Sequence, residues 1–117
     1  MRIERASPSV DKGWYAGRWN SGLPISVGYA HMGVDEPHVH SQITEIYLIA
    51  RGTAIMRVEK ETVSLMQGDM FVVDPGEAHT FLECSPDYFH FVIHTPGLEG
   101  EMARTEKSAV PRARLGL

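Results

Sequence analysis

Cysteine is almost absent. Cys84 is the only thiol in 117 residues, so no internal disulfide can form. Long apolar runs are missing too, and nothing approaches the roughly 18 residues that a membrane-spanning helix needs. The first fourteen residues, MRIERASPSVDKGW, lack the apolar stretch of a secretory signal. There is no P-loop, no G-x-S-x-G elbow and no dinucleotide fingerprint. Basic residues are outnumbered: 11 Lys and Arg stand against 15 Asp and Glu, for a net charge of −4. That balance predicts neither nucleic acid nor an anionic membrane as partner. Together these absences predict a cytoplasmic protein. Internal repeats, low-complexity segments and sustained helical periodicity are also lacking.

What is present is a soluble globular balance, with 43% hydrophobic and 22% charged residues, in a length suited to one domain. Residues 1–24 read as an N-terminal arm that packs on the core, with Trp14 and Trp19 as packing anchors. Residues 25–95 read as about eight short β-runs: ISVGYAHM, HVH, TEIYLIA, TAIMRVE, TVSLM, MFVV, HTFLE and YFHFVIH. Gly33, Gly52, Lys60-Glu61, Gln67-Gly68, Pro75-Gly76 and Ser85-Pro86 punctuate them. Hairpin-length connections between short strands predict an antiparallel sandwich or barrel. Residues 96–117 read as a tail, with a helical turn or two around EGEMARTEK and a frayed basic end.

The stretch EPHVHSQITE holds the first chemical signal. Side chains at i and i+2 of a strand share a face, so His38 and His40 project together, about 6.6 Å apart along the backbone. Glu45 lies five residues beyond His40, and an unbroken strand would turn it to the other face. Ser41 and Gln42 suit a turn, after which Glu45 would open the next strand and face back. A carboxylate at the head of the apolar run IYLIA is costly unless paired or metal-bound. His79, just after Pro75-Gly76, adds a third imidazole. On spacing alone these residues fit a site for Fe, Mn, Ni, Zn or Cu, and equally fit separate surface or core histidines and a solvated acid.

The same residues resemble the two motifs of the cupins, a family of small β-barrels. The first motif, G-x5-H-x-H-x3/4-E-x6-G, matches His38-Val39-His40, Glu45 and Gly52, with Gly33 one residue closer than the pattern. The second, G-x5-P-x-G-x2-H-x3-N, matches Gly68, Gly76 and His79, with Asp74 in place of proline and Glu83 in place of asparagine. The resemblance covers about residues 25 to 95. It implies an all-β, antiparallel double-stranded β-helix, or jelly-roll barrel. It also implies one divalent transition metal ion held by His38, His40, Glu45 and His79, and a homodimer.

Strand alternation extends this reading. Tyr47 and Ile49 follow Glu45 inward. Phe81 and Glu83 follow His79 inward, making Tyr47 and Glu83 candidate catalytic residues, Glu83 as an acid, a base or a partner of an imidazole. In YFHFVIH, Phe89, Phe91 and Ile93 read as the core face, which leaves His90 and His94 outside or at an interface. The facing of His31 stays open. Arg57 reads as a surface residue, and Cys84 is out of phase with a ligand role. Ile46, Leu48 and Ala50 make the other face of the Glu45 strand apolar as well, so a tryptophan or a second subunit must cover it. The functional expectation is a metal-dependent enzyme of dioxygenase, isomerase or lyase type acting on a small oxygenated molecule. The alternative is a non-catalytic module that binds or senses such a molecule.

Overall fold

The computed structural model describes residues 1–33 and 36–117. The eight expected runs are strands: β2 (Ser26–Ala30), β3 (His38–His40), β4 (Thr44–Arg51), β5 (Thr53–Val58), β6 (Glu61–Met66), β7 (Met70–Val73), β8 (His79–Cys84) and β9 (Phe89–Thr95). Two further strands come from the presumed arm and tail. These are β1 (Lys12–Ala16), followed by the one-turn helix α1 (Arg18–Ser21), and β10 (Lys107–Ala109), preceded by the helix α2 (Gly100–Glu106). The strands form two antiparallel sheets, ordered β1-β2-β9-β4-β7 and β10-β3-β8-β5-β6. This is the double-stranded β-helix of the jelly roll. No helix among the described residues is long and apolar enough to cross a membrane.

The sheets close on a core of Tyr47, Ile49, Met56, Leu65, Phe81, Tyr88 and Val92 with smaller neighbours. All but Tyr88, which precedes β9, come from the inward phase of their strands, as period-2 alternation requires. Gly52 shows why the first motif ends in glycine. Its φ is +76°, and a Cβ there would meet the Ser85 hydroxyl at 2.3 Å and the Tyr88 Cα at 2.9 Å.

Both flanks of the barrel carry regular structure that composition does not suggest. The tail does not fray. Leu115, in a 3-10 turn at Arg112–Leu115, is fully buried, and its carbonyl accepts a 2.7 Å bond from Arg57 Nε. Arg57 faces the surface but is committed to the tail. Arg114 forks onto Glu59 at 2.9 and 3.1 Å and reaches the Gly76 carbonyl in the turn before His79. A sequence scan weighs local propensity, and these anchors are contacts made 38 to 58 residues away. The tryptophans also depart from expectation. Trp14 and Trp19 are about half exposed, and Trp14 stands edge-on to His94 with ring centres 4.8 Å apart.

Candidate metal centre

Three strands deliver the four expected residues to one spot. His38 and His40 lie on the inward phase of β3. His38 is directly opposite His79 at the head of β8. Glu45 enters from β4 in the facing sheet, after the 41–43 connection resets the phase. All four side chains are buried, and one donor atom from each lies within 4.8 Å of the others. Glu45 Oε1 stands 2.7 Å from His79 Nε2, 3.0 Å from His40 Nε2 and 4.0 Å from His38 Nε2.

These donors fit a divalent ion by their chemistry. The Nδ1 atoms of His38 and His79 each sit 2.9 Å from a backbone carbonyl two residues earlier, Glu36 O and Glu77 O. His40 Nδ1 meets the Glu106 carboxylate instead. A carbonyl or carboxylate can only accept, so each Nδ1 carries a proton and, in the neutral ring, each Nε2 turns a lone pair inward. Glu45 Oε1 and His79 Nε2 are close but misaligned. Among the described residues they are the two buried side-chain atoms left without a hydrogen-bond partner. Such orphans are costly, and a cation between them would satisfy both. The other carboxylate oxygen, Oε2, is occupied: Tyr47 OH donates at 3.0 Å and His94 Nε2 lies at 2.9 Å. Glu45 is thereby set to offer a single oxygen.

The charges follow the geometry. Burial works against the ionised form of Glu45, but the imidazoles of His40, His79 and His94 packed around it outweigh burial and hold its pKa far below the usual carboxylate range. Burial depresses the His38 pKa to about 4, with the His79 and Lys107 charges adding to that effect against the Glu36 carbonyl bond. Burial also opposes charge on His40, yet Glu45 and Glu106 beside it raise its pKa above the ordinary value.

Tyr47 is buried behind the cluster, as its phase predicts. Glu83 is not: the structure puts it on the exposed outer surface. The cause is a β-bulge. Along β5, Ile55 pairs with Glu83 but Met56 pairs with Phe81, so Leu82 is the extra residue. The bulge reverses the phase after Phe81, turning Glu83 outward and Cys84 toward the core. Glu83→Gln is therefore expected to leave metal content unchanged and stability within about 0.5 kcal/mol of wild type. A clear loss of bound metal would return Glu83 to the site.

The reading of β9 is reversed as well. His90 is buried, stacked on Phe81 with its Nδ1 2.7 Å from Tyr88 OH, and His94 joins the Glu45 cluster. Phe89, Phe91 and Ile93 face outward. There Phe91 meets Tyr15 and Tyr29 lies parallel to Phe89. The outward face of β9 is the more apolar one, so choosing the core face by apolar content selects the wrong side; the inner face carries His90 and His94 toward the polar cluster. His94 could have been placed by its direct pairing with Glu45, a non-local register. His31 is outward, its Nε2 3.2 Å from the Ser7 carbonyl. Beside the cluster opens a cavity of about 240 Å³, lined in part by Lys12, Trp14, Met32, Tyr47, Val92 and Lys107.

The comparisons agree with this architecture. The model of the cupin domain matches residues 27–94. No curated protein sequence matches. Among solved structures, a variant of Pac13 from Streptomyces with uridine is 15% identical with a TM-score of 0.67, covering 93% of this chain and 84% of that one. Pac13 is described as a nucleoside dehydratase. KdgF from Halomonas sp. is 20% identical with a TM-score of 0.63, over 84% of this chain and 90% of that one. A Klebsiella pneumoniae protein with a double-stranded β-helix domain is 18% identical with a TM-score of 0.63, over 92% and 90%. At these identities the likeness is one of fold. The family match spans more than half of the sequence, and its two motifs carry the buried cluster: the chain belongs to the cupin domain family.

Proposed function

We propose that this cupin is a metal-dependent enzyme acting on a small oxygenated molecule. His38, His40, Glu45 and His79 would hold one divalent Fe, Mn, Ni, Zn or Cu ion. The observation that carries this reading is the pair of orphaned buried atoms, Glu45 Oε1 and His79 Nε2, at the focus of three inward-facing Nε2 donors. An ion held by these four residues would supply Lewis-acid or redox chemistry at the cluster. The chain's own residues do the rest. Tyr47 and His94 hold Glu45 in its one-oxygen pose. Trp14 offers the substrate a flat apolar surface, and Lys12 and Lys107 favour one bearing an anionic group. The Pac13 structure with uridine supports a small molecule in such a pocket.

A second reading is a pocket that binds without turnover. It is favoured by one observation: Glu45, a metal ligand in this account, is the one carboxylate among the described lining residues. The test is a screen of carboxylates, sugars and diketones against metal-free and reconstituted protein, following both binding and conversion. Metal-dependent conversion supports the enzyme. Saturable binding with no conversion under any of the five metals supports the module.

The dimer belongs to the same proposal. Residues directly opposite across strands share a face. Two outward rows, Val72-Ile46-Ile93-Val27 and Met70-Leu48-Phe91-Tyr29, are entirely apolar or aromatic. Tyr15 covers one end, while Val72 and Met70 are 39% and 64% exposed. A second copy seated there would bury this sheet. Light scattering at micromolar concentration is expected to show a dimer, and V72E combined with M70E to give a monomer that still binds metal. A monomeric wild type would remove this interface.

A further inference from the structure

The three imidazoles of the cluster are not held alike. His38 and His79 rest on carbonyls of their own strands' approaches, neutral acceptors two residues away. His40 rests on a carboxylate 66 residues away, that of Glu106, the last residue of α2. Glu106 is 3% exposed. A carboxylate so buried is costly unless its partner repays the desolvation, and His40 is that partner.

The backbone around Glu106 is built to hold this contact. The Glu106 carbonyl accepts a 2.9 Å bond from Ser41 N. The next residue, Lys107, pairs with His40, and Ala109 pairs with His38, so β10 runs along the strand that carries both histidines. The Val110 amide closes the ladder on the Pro37 carbonyl at 3.0 Å. The chain from Glu106 onward is thus attached along the whole length of the ligand strand.

We infer that Glu106 is a positioning residue for the metal centre: its carboxylate fixes His40 in the Nδ1-protonated tautomer, strengthens Nε2 as a donor, and contributes the second negative charge that balances a divalent ion. The inference rests on the metal reading of the site. Imidazole ligands gain basicity and orientation from such a carboxylate, and its loss typically costs about 10- to 100-fold in affinity. Glu106→Gln keeps the size but removes the charge. The amide can also turn its NH2 toward Nδ1, which would force the proton onto Nε2 and block ligation.

The test uses Zn(II) alone as probe, with affinity measured by chelator competition on the full chain. Wild type is expected to bind one Zn(II), and E106Q to bind about 10- to 100-fold more weakly. The control is E101Q, in the same helix, where Glu101 is exposed and its carboxylate pairs with Arg104. It is expected to bind like wild type, so a general loosening of α2 is separated from loss of the carboxylate. Ring-nitrogen NMR of wild type loaded with Zn(II) gives a readout that needs no variant to fold, with His40 expected as the Nδ1–H tautomer donating to a carboxylate. Wild-type affinity in E106Q, an equal loss in E101Q, or an Nε2–H tautomer of His40 would each overturn the assignment. Failure of wild type to bind any Zn(II) would overturn the metal reading beneath it, an outcome distinct from these three.

Discussion

Replacing His38 and His79 together by alanine is expected to abolish metal binding while the barrel still folds. Structural zinc sites with four ligands bind with about 10 to 16 kcal/mol, roughly 3 kcal/mol per ligand, so losing two removes about 6 kcal/mol, or about 10⁴-fold in affinity. The fold should survive because the apolar core, from Tyr47 through Met56 to Val92, lies beside the cluster and does not include it. The pair also separates two explanations of the buried histidines. If they serve only to neutralise Glu45, the variant strands a buried carboxylate with fewer partners and loses stability without any metal-related change. If they are ligands, metal content falls to background. Circular dichroism and metal analysis on the same sample distinguish the two. Full occupancy in the double variant would sink the site.

Metal affinity is also expected to fall between pH 7 and pH 5, by up to about tenfold per pH unit. His40 carries the effect. In the metal-free protein its pKa is raised above the ordinary value by the two flanking carboxylates, so it takes up a proton more readily than a free imidazole, and the metal-bound form requires it neutral. Lowering the pH favours the protonated, metal-free form, at about tenfold per pH unit for each proton displaced. His38 adds nothing in this range, since its pKa of about 4 leaves it neutral already. The two histidines act oppositely on the stability of the metal-free protein. For His38, the unfolded chain takes up a proton below about 6.5 that the folded one refuses until about 4, so its contribution is lost as pH falls through that window. For His40 the raised pKa gives stability that is fully present below about 6.5 and is lost as pH rises through the folded value. Isothermal titration in buffers of different ionisation enthalpy counts the protons. Release of none at pH 6.5 would contradict the assignment of His40.

The grouping of His38, His40, Glu45 and His79 was legible because each of the two cupin motifs is a short local pattern, whereas spacing alone left the histidines open to a surface or core role. The i, i+2 spacing of His38 and His40 and the turn resetting Glu45 each span fewer than ten residues, and Pro75-Gly76 lies just before His79. The β-runs were legible for the same reason. Glu83 was misplaced because a single extra residue, Leu82, reverses strand phase, and nothing in HTFLEC marks it as a bulge. His94 was misplaced because the more apolar face of β9 is the outward one, and its inner face is decided by pairing with β4 and β2. Glu106 was invisible: a glutamate in a short helix reads as solvated. Its burial depends on β10 pairing with β3 across the whole barrel sequence.

The most direct measurement is the metal content of wild-type protein purified without a polyhistidine tag, by elemental analysis. The account predicts one divalent transition ion per chain, lost on chelation and restored by reconstitution. Protein that is metal-free as purified and takes up none of Fe(II), Mn(II), Ni(II), Zn(II) or Cu(II) at neutral pH would contradict it, and would leave the cluster as histidines neutralising a buried carboxylate.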